Sequence, residues 1–143
     1  MSANYKQLSD FSRNVERLSE QQKEEFLQAC CKELAARLLR KVIKRTPSDS
    51  GTLRRGWTAG KNQNASDYAN SLNIVKVGSN YQVDIINPIE YASYVEYGHR
   101  TRNHTGWVPG KFMLTISEAE LNSMGDKILM AKLNKFIKDV FDV

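Results

Sequence analysis

Apolar residues near the N-terminus recur at spacings of three and four. Leu8, Phe11, Val15 and Leu18 follow this pattern within residues 1–18. Such spacing places side chains on one face of a helix. The sequence therefore predicts a short amphipathic helix here.

A second, longer helix is predicted from Ser19 onward. Ser19 stands three residues before Gln22, which is a capping-box pattern. The helix is expected to continue to about Lys44 and to stop at Pro47, which cannot extend it. Its apolar stripe comprises Phe26, Leu27, Cys30, Leu34, Leu38 and Val42, and Arg37, Arg40, Lys41 and Lys44 lie opposite.

The pattern changes after Gly51. Residues 53–58 alternate, and this alternation predicts a strand with Leu53 and Trp57 facing a core. Residues 60–70 are polar and without period, which predicts a long loop. We expect this loop to be disordered in the free subunit and to become ordered on docking.

Two β-rich runs, "LNIVKV" and "YQVDII", are joined by "GSN" and predict a hairpin. Helical spacing then returns in "PIEYASYVEYG", where Tyr91, Tyr94 and Val95 share a face and Gly98 occupies a C-cap position.

The C-terminal segment is predicted to be a long amphipathic helix. Ser117 and Glu120 form a second capping-box pattern before it, and Gly125 is a candidate break. The order of elements indicates a single α+β domain over residues 1–143, with long N-terminal helices, a small antiparallel sheet with a hairpin, a short helix and a C-terminal helix.

Composition adds a broad class to this picture. The chain has 143 residues, of which 26% are charged and 41% hydrophobic, as in ordinary globular proteins. No apolar run approaches the roughly 20 residues of a membrane helix, and the first residues lack the apolar segment of a signal peptide. We expect synthesis in the cytoplasm and no membrane partner. The adjacent Cys30 and Cys31 are expected to be buried, reduced thiols.

The net charge of +5 is unevenly spread. Residues 32–61 contain nine basic side chains and two acidic ones, so the rest of the chain is slightly acidic. This polarity suits DNA, an acidic protein surface or head-to-tail self-association. A solvated helix face is an equally good explanation for the helical cations.

The candidate chemistry is weak. His99 and His104 could act with Glu96 or Asp126, but two histidines fall short of the three or four ligands of a stable metal site. Neither an activated nucleophile nor a phosphate-binding glycine loop stands out. We therefore predict no enzyme, metal or cofactor, although a toxin-like nuclease is a distant alternative.

Two classes of function fit better. Non-sequence-specific DNA binding would use cations on or beside loops, namely Arg54, Arg55, Lys61, Arg100, Arg102 and Lys111. Protein assembly would use the polar loop 60–70 and the loop 99–112, where Trp107 stands outside the periodic core. Trp57, with its alternating neighbours, fits a core better.

Two separated motifs resemble a known family. They are "KRTPSDSGTLRRGW" and "EYASYVEYGHRTRNHTGWVPGKFML", and the resemblance covers roughly residues 20–115. It is to the tail-component family of tailed bacteriophages and phage-derived tail particles, whose members are called tail completion, neck or head-to-tail joining proteins. The motif positions are Thr46, Pro47, Ser50, Gly51, Leu53, Arg54, Trp57, Tyr91, Ala92, Val95, Glu96 and Gly98 to Arg100.

The resemblance implies a subunit of a ring, with six copies, at the head-proximal end of a tail. Its partners would be further copies, a tail tube or tail terminator, and neck or connector proteins. It would reside in the virion or a tail-like particle, with passive DNA contact in the channel. The residues expected at a subunit or tail-tube interface are Arg54, Arg55, Lys61, Glu96, His99, Arg100, Arg102 and Trp107.

One feature departs from the family pattern. Many relatives have a short proline-rich segment after the Gly-His-Arg element, whereas this chain has "TRNHTGWVPGKFML". The departure leaves open a contractile or non-contractile tail, and a tube or a portal-side connector as the docking partner.

Overall fold

The computed structural model describes residues 13, 15–48 and 51–141. Its elements in chain order are α1 (Glu20–Arg45), α2 (Thr52–Gly56), α3 (Ala65–Ser71), β1 (Val75–Val77), β2 (Asn80–Gln82), α4 (Ala92–Tyr97), β3 (Gly98–Arg100), β4 (Trp107–Pro109) and α5 (Met113–Phe141). This order confirms the predicted α+β class. The strands form two separate antiparallel pairs, β1 with β2 and β3 with β4.

Only part of the predicted N-terminal helix can be compared with the structure. Leu8 and Phe11 lie outside the described residues. Arg13, Val15 and Glu16 are helical.

Helix α1 begins at the predicted capping box. The Ser19 hydroxyl accepts a hydrogen bond from the Gln22 amide at 3.1 Å, and the Gln22 side chain accepts one from the Ser19 amide at 2.9 Å. The buried positions match the predicted stripe only at Cys30 and Val42, because α1 packs against both α3 and α5. They are Cys30, Ala35, Ala36, Leu39 and Val42, whereas Leu27 is exposed.

Helices α1 and α5 pack antiparallel. Phe26, near the start of α1, packs against Phe136, near the end of α5, with ring centroids 5.1 Å apart and the rings tilted by 39°. At the opposite end, an Arg45 guanidinium nitrogen donates to Glu120 at 2.6 Å. The start of α5 therefore lies beside the end of α1.

The strand predicted around residues 53–58 is wrong, because Thr52–Gly56 form helix α2. Gly51 starts the helix in the left-handed region, with φ of 72°, a conformation that favours glycine. Leu53 and Trp57 are both buried as predicted. Residues four apart lie on one face of a helix as well as of a strand. The burial of both residues could therefore be predicted although the type of secondary structure was wrong.

The loop predicted over residues 60–70 is also wrong in its second half. Helix α3 spans Ala65–Ser71, and the Asn64 side chain caps it by accepting from the Asp67 amide at 2.8 Å. Ala65 and Ala69 are buried against the core. The small alanine side chains let α3 pack closely against the core, although the segment as a whole is polar in composition.

The two later predictions before residue 98 are confirmed. Strands β1 and β2 form the hairpin, with Val77 opposite Asn80. Helix α4 ends at Gly98, whose φ is 91°. However, Tyr94 faces solvent, and the side chains of α4 that turn inward are Ala92, Val95 and Glu96.

The start predicted for the C-terminal helix is wrong by one turn. Helix α5 begins at Met113, and Ser117 lies inside it, where its hydroxyl donates to the Met113 carbonyl. Glu120 pairs with Arg45 instead of capping. The helix continues through Gly125, which is not a break.

The core is formed where α1, α2, α3 and the start of α5 meet. Its buried residues are Ala35, Ala36, Leu39, Val42, Leu53, Trp57, Ala65, Ala69 and Met113. Both cysteines are free thiols; Cys30 is buried as predicted, whereas Cys31 is only half-buried. Within the described part of the chain, no helix is long and apolar enough to cross a membrane.

Candidate functional site

The segment predicted as loop 99–112 contains a β-hairpin. His99 pairs with Val108 and Arg100 with Trp107. The connecting residues are ordered by their own hydrogen bonds: the Thr101 amide donates to the Gly106 carbonyl at 3.0 Å, and the Thr101 hydroxyl donates to Asn103 at 2.7 Å. The surface presented by this segment is therefore preorganised.

Two glycines allow the hairpin to lie against the end of α4. A Cβ added at Gly110 would meet the Glu96 carbonyl oxygen at 2.4 Å, and one at Gly98 would meet the Val108 carbonyl oxygen at 2.7 Å. Both contacts are shorter than any side chain tolerates. Close approach of the two backbones requires glycine at both positions.

The short segment between the hairpin and α5 is held to α4 through its backbone. The Lys111 amide donates to the Val95 carbonyl at 2.7 Å, and the Phe112 amide donates to the Glu96 carbonyl at 3.0 Å. These bonds use the carbonyls that the C-terminus of α4 leaves unpaired.

Glu96 fixes the start of α5. Its carboxylate accepts from the amides of Leu114 and Thr115, at 2.8 and 3.0 Å, and from the Thr115 hydroxyl at 2.7 Å. A carboxylate at a helix N-terminus interacts favourably with the helix dipole. Glu96 is only 6% exposed, so its carboxylate is used within the subunit and is not presented at a surface.

Four aromatic side chains around this hairpin are exposed to solvent. Tyr97 is 64% exposed, Trp107 60% and Phe112 41%, and Tyr94 is similarly exposed. The rings of Tyr97 and Phe112 meet edge to face, with centroids 6.4 Å apart. Solvent-exposed aromatic clusters of this kind are typical of protein interfaces.

Phe112 has an unusual backbone conformation. Its φ is 48°, and a bulky residue in this region costs about 1–3 kcal/mol. Full burial of the ring does not offset this cost, because 41% of the side chain is exposed. Strain of this kind clusters at functional sites, and here it positions an aromatic ring at the surface.

The segment that carries these rings is also positively charged. Arg100, Arg102 and Lys111 are exposed, and between Glu90 and Glu118 the only carboxylate is the buried Glu96. We call Tyr94, Tyr97, Arg100, Arg102, Trp107, Lys111 and Phe112 the cationic aromatic surface.

The histidines contribute no metal site. His99 is half-buried beside the Tyr94 ring, with centroids 6.0 Å apart. Its Nδ1 is buried and has no hydrogen-bond partner among the residues described. No group of three His, Cys, Asp or Glu side chains in residues 13, 15–48 and 51–141 could hold a metal ion.

The motif around residues 46–57 has a structural role. Leu53 and Trp57 belong to the core, and Val95, from the second motif, packs against the same core. Arg54, predicted at an interface, donates to the Thr46 carbonyl at 2.7 Å and ties α2 to the end of α1. Arg55 and Lys61 are exposed on and after α2.

Residues 32–61, which we call the basic region, contain several cations that have partners within the chain. Arg37 pairs with Glu33 at 3.1 Å. Lys41 and Arg45 both reach Glu120, and Arg45 also donates to Ser117 at 3.1 Å. The hydrogen bond from Arg45 raises the pKa of its own guanidinium and lowers the pKa of Glu120. Part of the basic region therefore holds α1 and α5 together through ion pairs and hydrogen bonds.

Sequence reasoning placed Arg100, Arg102 and Trp107 at this surface but missed Tyr97 and Phe112. A signal for Tyr97 was present, since Tyr91, Tyr94 and Tyr97 recur every three residues. Tyrosines at this spacing make a continuous stripe on a helix. Phe112 gave no such signal, because its exposure depends on the left-handed backbone.

The chain matches a known protein family. Residues 9–98, more than half of the chain, match the family model described as "Bacteriophage HK97-gp10, putative tail-component". No curated protein and no solved structure gives a significant match. The matched range includes both the Thr46–Trp57 motif and helix α4.

Proposed function

The chain belongs to the HK97-gp10-like family of bacteriophage tail components, and from that premise we propose that it forms a ring at the head-proximal end of a tail or tail-like particle. Membership of this family gives the protein a structural role in a phage tail, other tail proteins as partners and a place in the virion. In the proposed role, the ring has six copies, completes the tail and joins it to the neck or connector.

The cationic aromatic surface carries this proposal. Its aromatic rings, on α4, on the hairpin and just after it, are exposed although backbone hydrogen bonds hold these segments together. The backbone of Phe112 joins α4 to the start of α5, but 41% of its side chain remains exposed to water in the monomer. A subunit that buries these rings against another protein gains apolar burial and well-placed anchors.

The ring is tested by the mass of the purified protein in light scattering, over a range of concentrations and at low and high salt. A discrete assembly near six subunits that persists in high salt is expected, because buried apolar contacts are not screened. Persistence of the monomer, both alone and with tails isolated from particles that lack the protein, would contradict the ring.

The joining role needs a separate test in the phage or particle that encodes the chain. Deletion of the gene is expected to leave heads and tails unjoined in electron micrographs, and the wild-type gene should restore joined particles. Fully joined particles without the protein would overturn this role.

Non-sequence-specific DNA binding is a second candidate. Lys44, Arg55 and Lys61 are exposed within the basic region and could contact phosphates, including those of DNA inside a ring. Such binding should weaken steeply as salt rises, because phosphate contacts release counterions. Salt-independent retention of the assembly together with no DNA binding at low salt would exclude this candidate.

A further inference from the structure

One extended segment has no strand beside it in the part of the chain that the structure describes. The chain continues beyond β2 as residues 83–86, which are neither helical nor paired in a sheet, and we call them the unpaired strand. Val83 and Ile85 are half-buried against the core. Asp84 is exposed, and Ile86 is 64% exposed. This alternation is typical of a strand that covers a core with one face.

The peptide groups of the unpaired strand are available for pairing. None of the described residues forms a hydrogen bond with the backbone of residues 83–86. The end of the segment is nevertheless fixed, because the Asn87 side chain donates to the Leu53 carbonyl of α2 at 2.8 Å. A fixed extended segment with open peptide groups is a template for a strand from another chain.

Strand β1 presents a second open edge. It pairs with β2 on one side, and none of the described residues forms a backbone hydrogen bond with its other side. Val75 is 56% exposed and Val77 52%. Valine favours strands, so this edge combines open peptide groups with apolar side chains that are suited to a sheet.

The exposed apolar side chains of both edges lie on one face. Val75 is opposite Gln82 in the hairpin, so these two side chains point to the same face. Residues two apart in a strand also share a face, which places Val77 with Val75 and Ile86 with Gln82. Hairpins laid side by side would therefore bring Val75 and Val77 of one beside Ile86 of another.

The two edges cannot meet within one subunit. The outer edge of β1 faces away from β2 and from the unpaired strand that continues β2. Between copies they can meet, and the direction of pairing is then fixed. Six copies in a ring differ by rotations of about 60°, which do not turn a sheet over. Since β1 is antiparallel to β2 in the hairpin, the β1 of a neighbouring copy, with the same face outward, is antiparallel to the unpaired strand as well.

We propose that β1 of one copy pairs antiparallel with the unpaired strand of the next copy, so that the hairpins form one sheet around the ring. This inference rests on the proposed ring and names the contact that closes it. Val75 and Val77 of one copy pack against Ile86 of the next, and the open peptide groups of both edges are paired. The two edges differ, so the contact is heterologous, and heterologous contacts build rings.

Charged side chains on either edge test the contact. Val75→Asp/Val77→Asp and Ile86→Asp each place carboxylates where the proposed sheet buries apolar side chains, beside the exposed Asp84. Each variant should raise the concentration for half-assembly, measured by light scattering, at least about tenfold. Val75→Thr/Val77→Thr and Ile86→Thr are the matched controls, because threonine keeps the β-branched shape without the charge, and they should assemble more readily. Circular dichroism and the urea midpoint of every variant should match those of the wild type before assembly is scored.

Cross-linking tests the proposed neighbours directly. In a background of Cys30→Ala/Cys31→Ala, the variants Val77→Cys and Asp84→Cys are prepared as separate proteins and mixed. A bismaleimide that spans about 10 Å, the length of three residues in a strand, should join the two proteins in the mixture but neither protein to itself. In the control, Lys127→Cys replaces Asp84→Cys, since Lys127 is exposed outside the sheet, and little product is expected.

The outcomes separate this inference from the proposed function. Aspartate variants that assemble like their threonine controls, or assembled mixtures without the cross-link, would overturn the pairing while the ring stands. If Ile86→Asp assembles normally but no longer binds isolated tails, the unpaired strand receives a strand of another tail protein, and pairing between copies is again overturned. A wild-type protein that multimerises neither in solution nor on isolated tails would contradict the ring itself, and the pairing with it.

Discussion

Trp57 donates its indole Nε1–H to the hydroxyl of Thr46 at 2.8 Å, and that hydroxyl donates onward to the Val42 carbonyl at 2.6 Å. Both side chains are almost completely buried. The Thr46 hydroxyl thus satisfies the buried indole and a carbonyl at the end of α1. This chain of bonds explains why a threonine at the end of one helix and a tryptophan eleven residues later occur in one motif.

Replacement of Thr46 by valine should destabilise the subunit by about 1–3 kcal/mol, because it leaves the buried indole N–H without an acceptor. The free energy of unfolding in urea measures this. Thr46→Ser keeps the hydroxyl and is the matched control, with a smaller loss. Equal stability of the valine variant and the wild type would show that the indole bond contributes nothing.

The motif also shows how far sequence reasoning reaches. Burial of Leu53 and Trp57 could be predicted, because residues four apart share a face in either element. The helical conformation could not, because it depends on the left-handed Gly51 and on the bond from Arg54 to the Thr46 carbonyl. The first is a backbone conformation and the second a contact with the end of α1, and the alternation of apolar residues records neither.

The cationic aromatic surface and the helix that follows it were also predicted only in part. The hairpin cations and Trp107 were predicted, because polar and aromatic residues outside a periodic core are visible in the sequence. The position of Ser117 inside α5 was not, because Glu96 caps this helix from a distance of eighteen residues. When another element supplies the cap, a local capping-box pattern no longer marks the start of the helix.

Replacement of Glu96 by alanine should destabilise the subunit by about 1–2 kcal/mol, as expected for the loss of a helix cap. It should also loosen the hairpin, because Glu96 joins α4 to α5. Urea unfolding gives the first effect, and amide exchange at Leu114 and Thr115 gives the second.

The conservative control is Glu96→Gln, which keeps one acceptor oxygen but loses the charge at the helix N-terminus. Its stability should lie between those of the alanine variant and the wild type. An alanine variant with native stability and unchanged exchange would argue against the cap.

The Arg45–Glu120 pair predicts a pH dependence of stability. The hydrogen bond from Arg45 lowers the pKa of Glu120 in the folded subunit. A group with a lowered folded pKa stabilises the protein above its unfolded pKa, about 4.3 for glutamate, and this contribution disappears as pH falls through the folded pKa.

The urea midpoints of the wild type and Glu120→Gln should therefore differ at pH 7 and converge below about pH 4. The control variant is Glu118→Gln, which removes an exposed carboxylate two residues away and should follow the wild type at every pH. A wild-type advantage over Glu120→Gln that is unchanged from pH 7 to pH 3 would contradict the role of this ion pair.

The adjacent cysteines should react slowly in the folded subunit. Burial raises the pKa of both thiols, so little thiolate forms at neutral pH, and Cys30 is also shielded from reagents. Cys31→Ala and Cys30→Ala isolate each thiol for iodoacetamide labelling, followed by mass spectrometry. In the native protein Cys30 should react at least about tenfold more slowly than Cys31, and both should react rapidly in urea, because the reagent then reaches each thiol without local opening. Native labelling of Cys30 at the unfolded rate would show that α1 and α5 separate readily at this end.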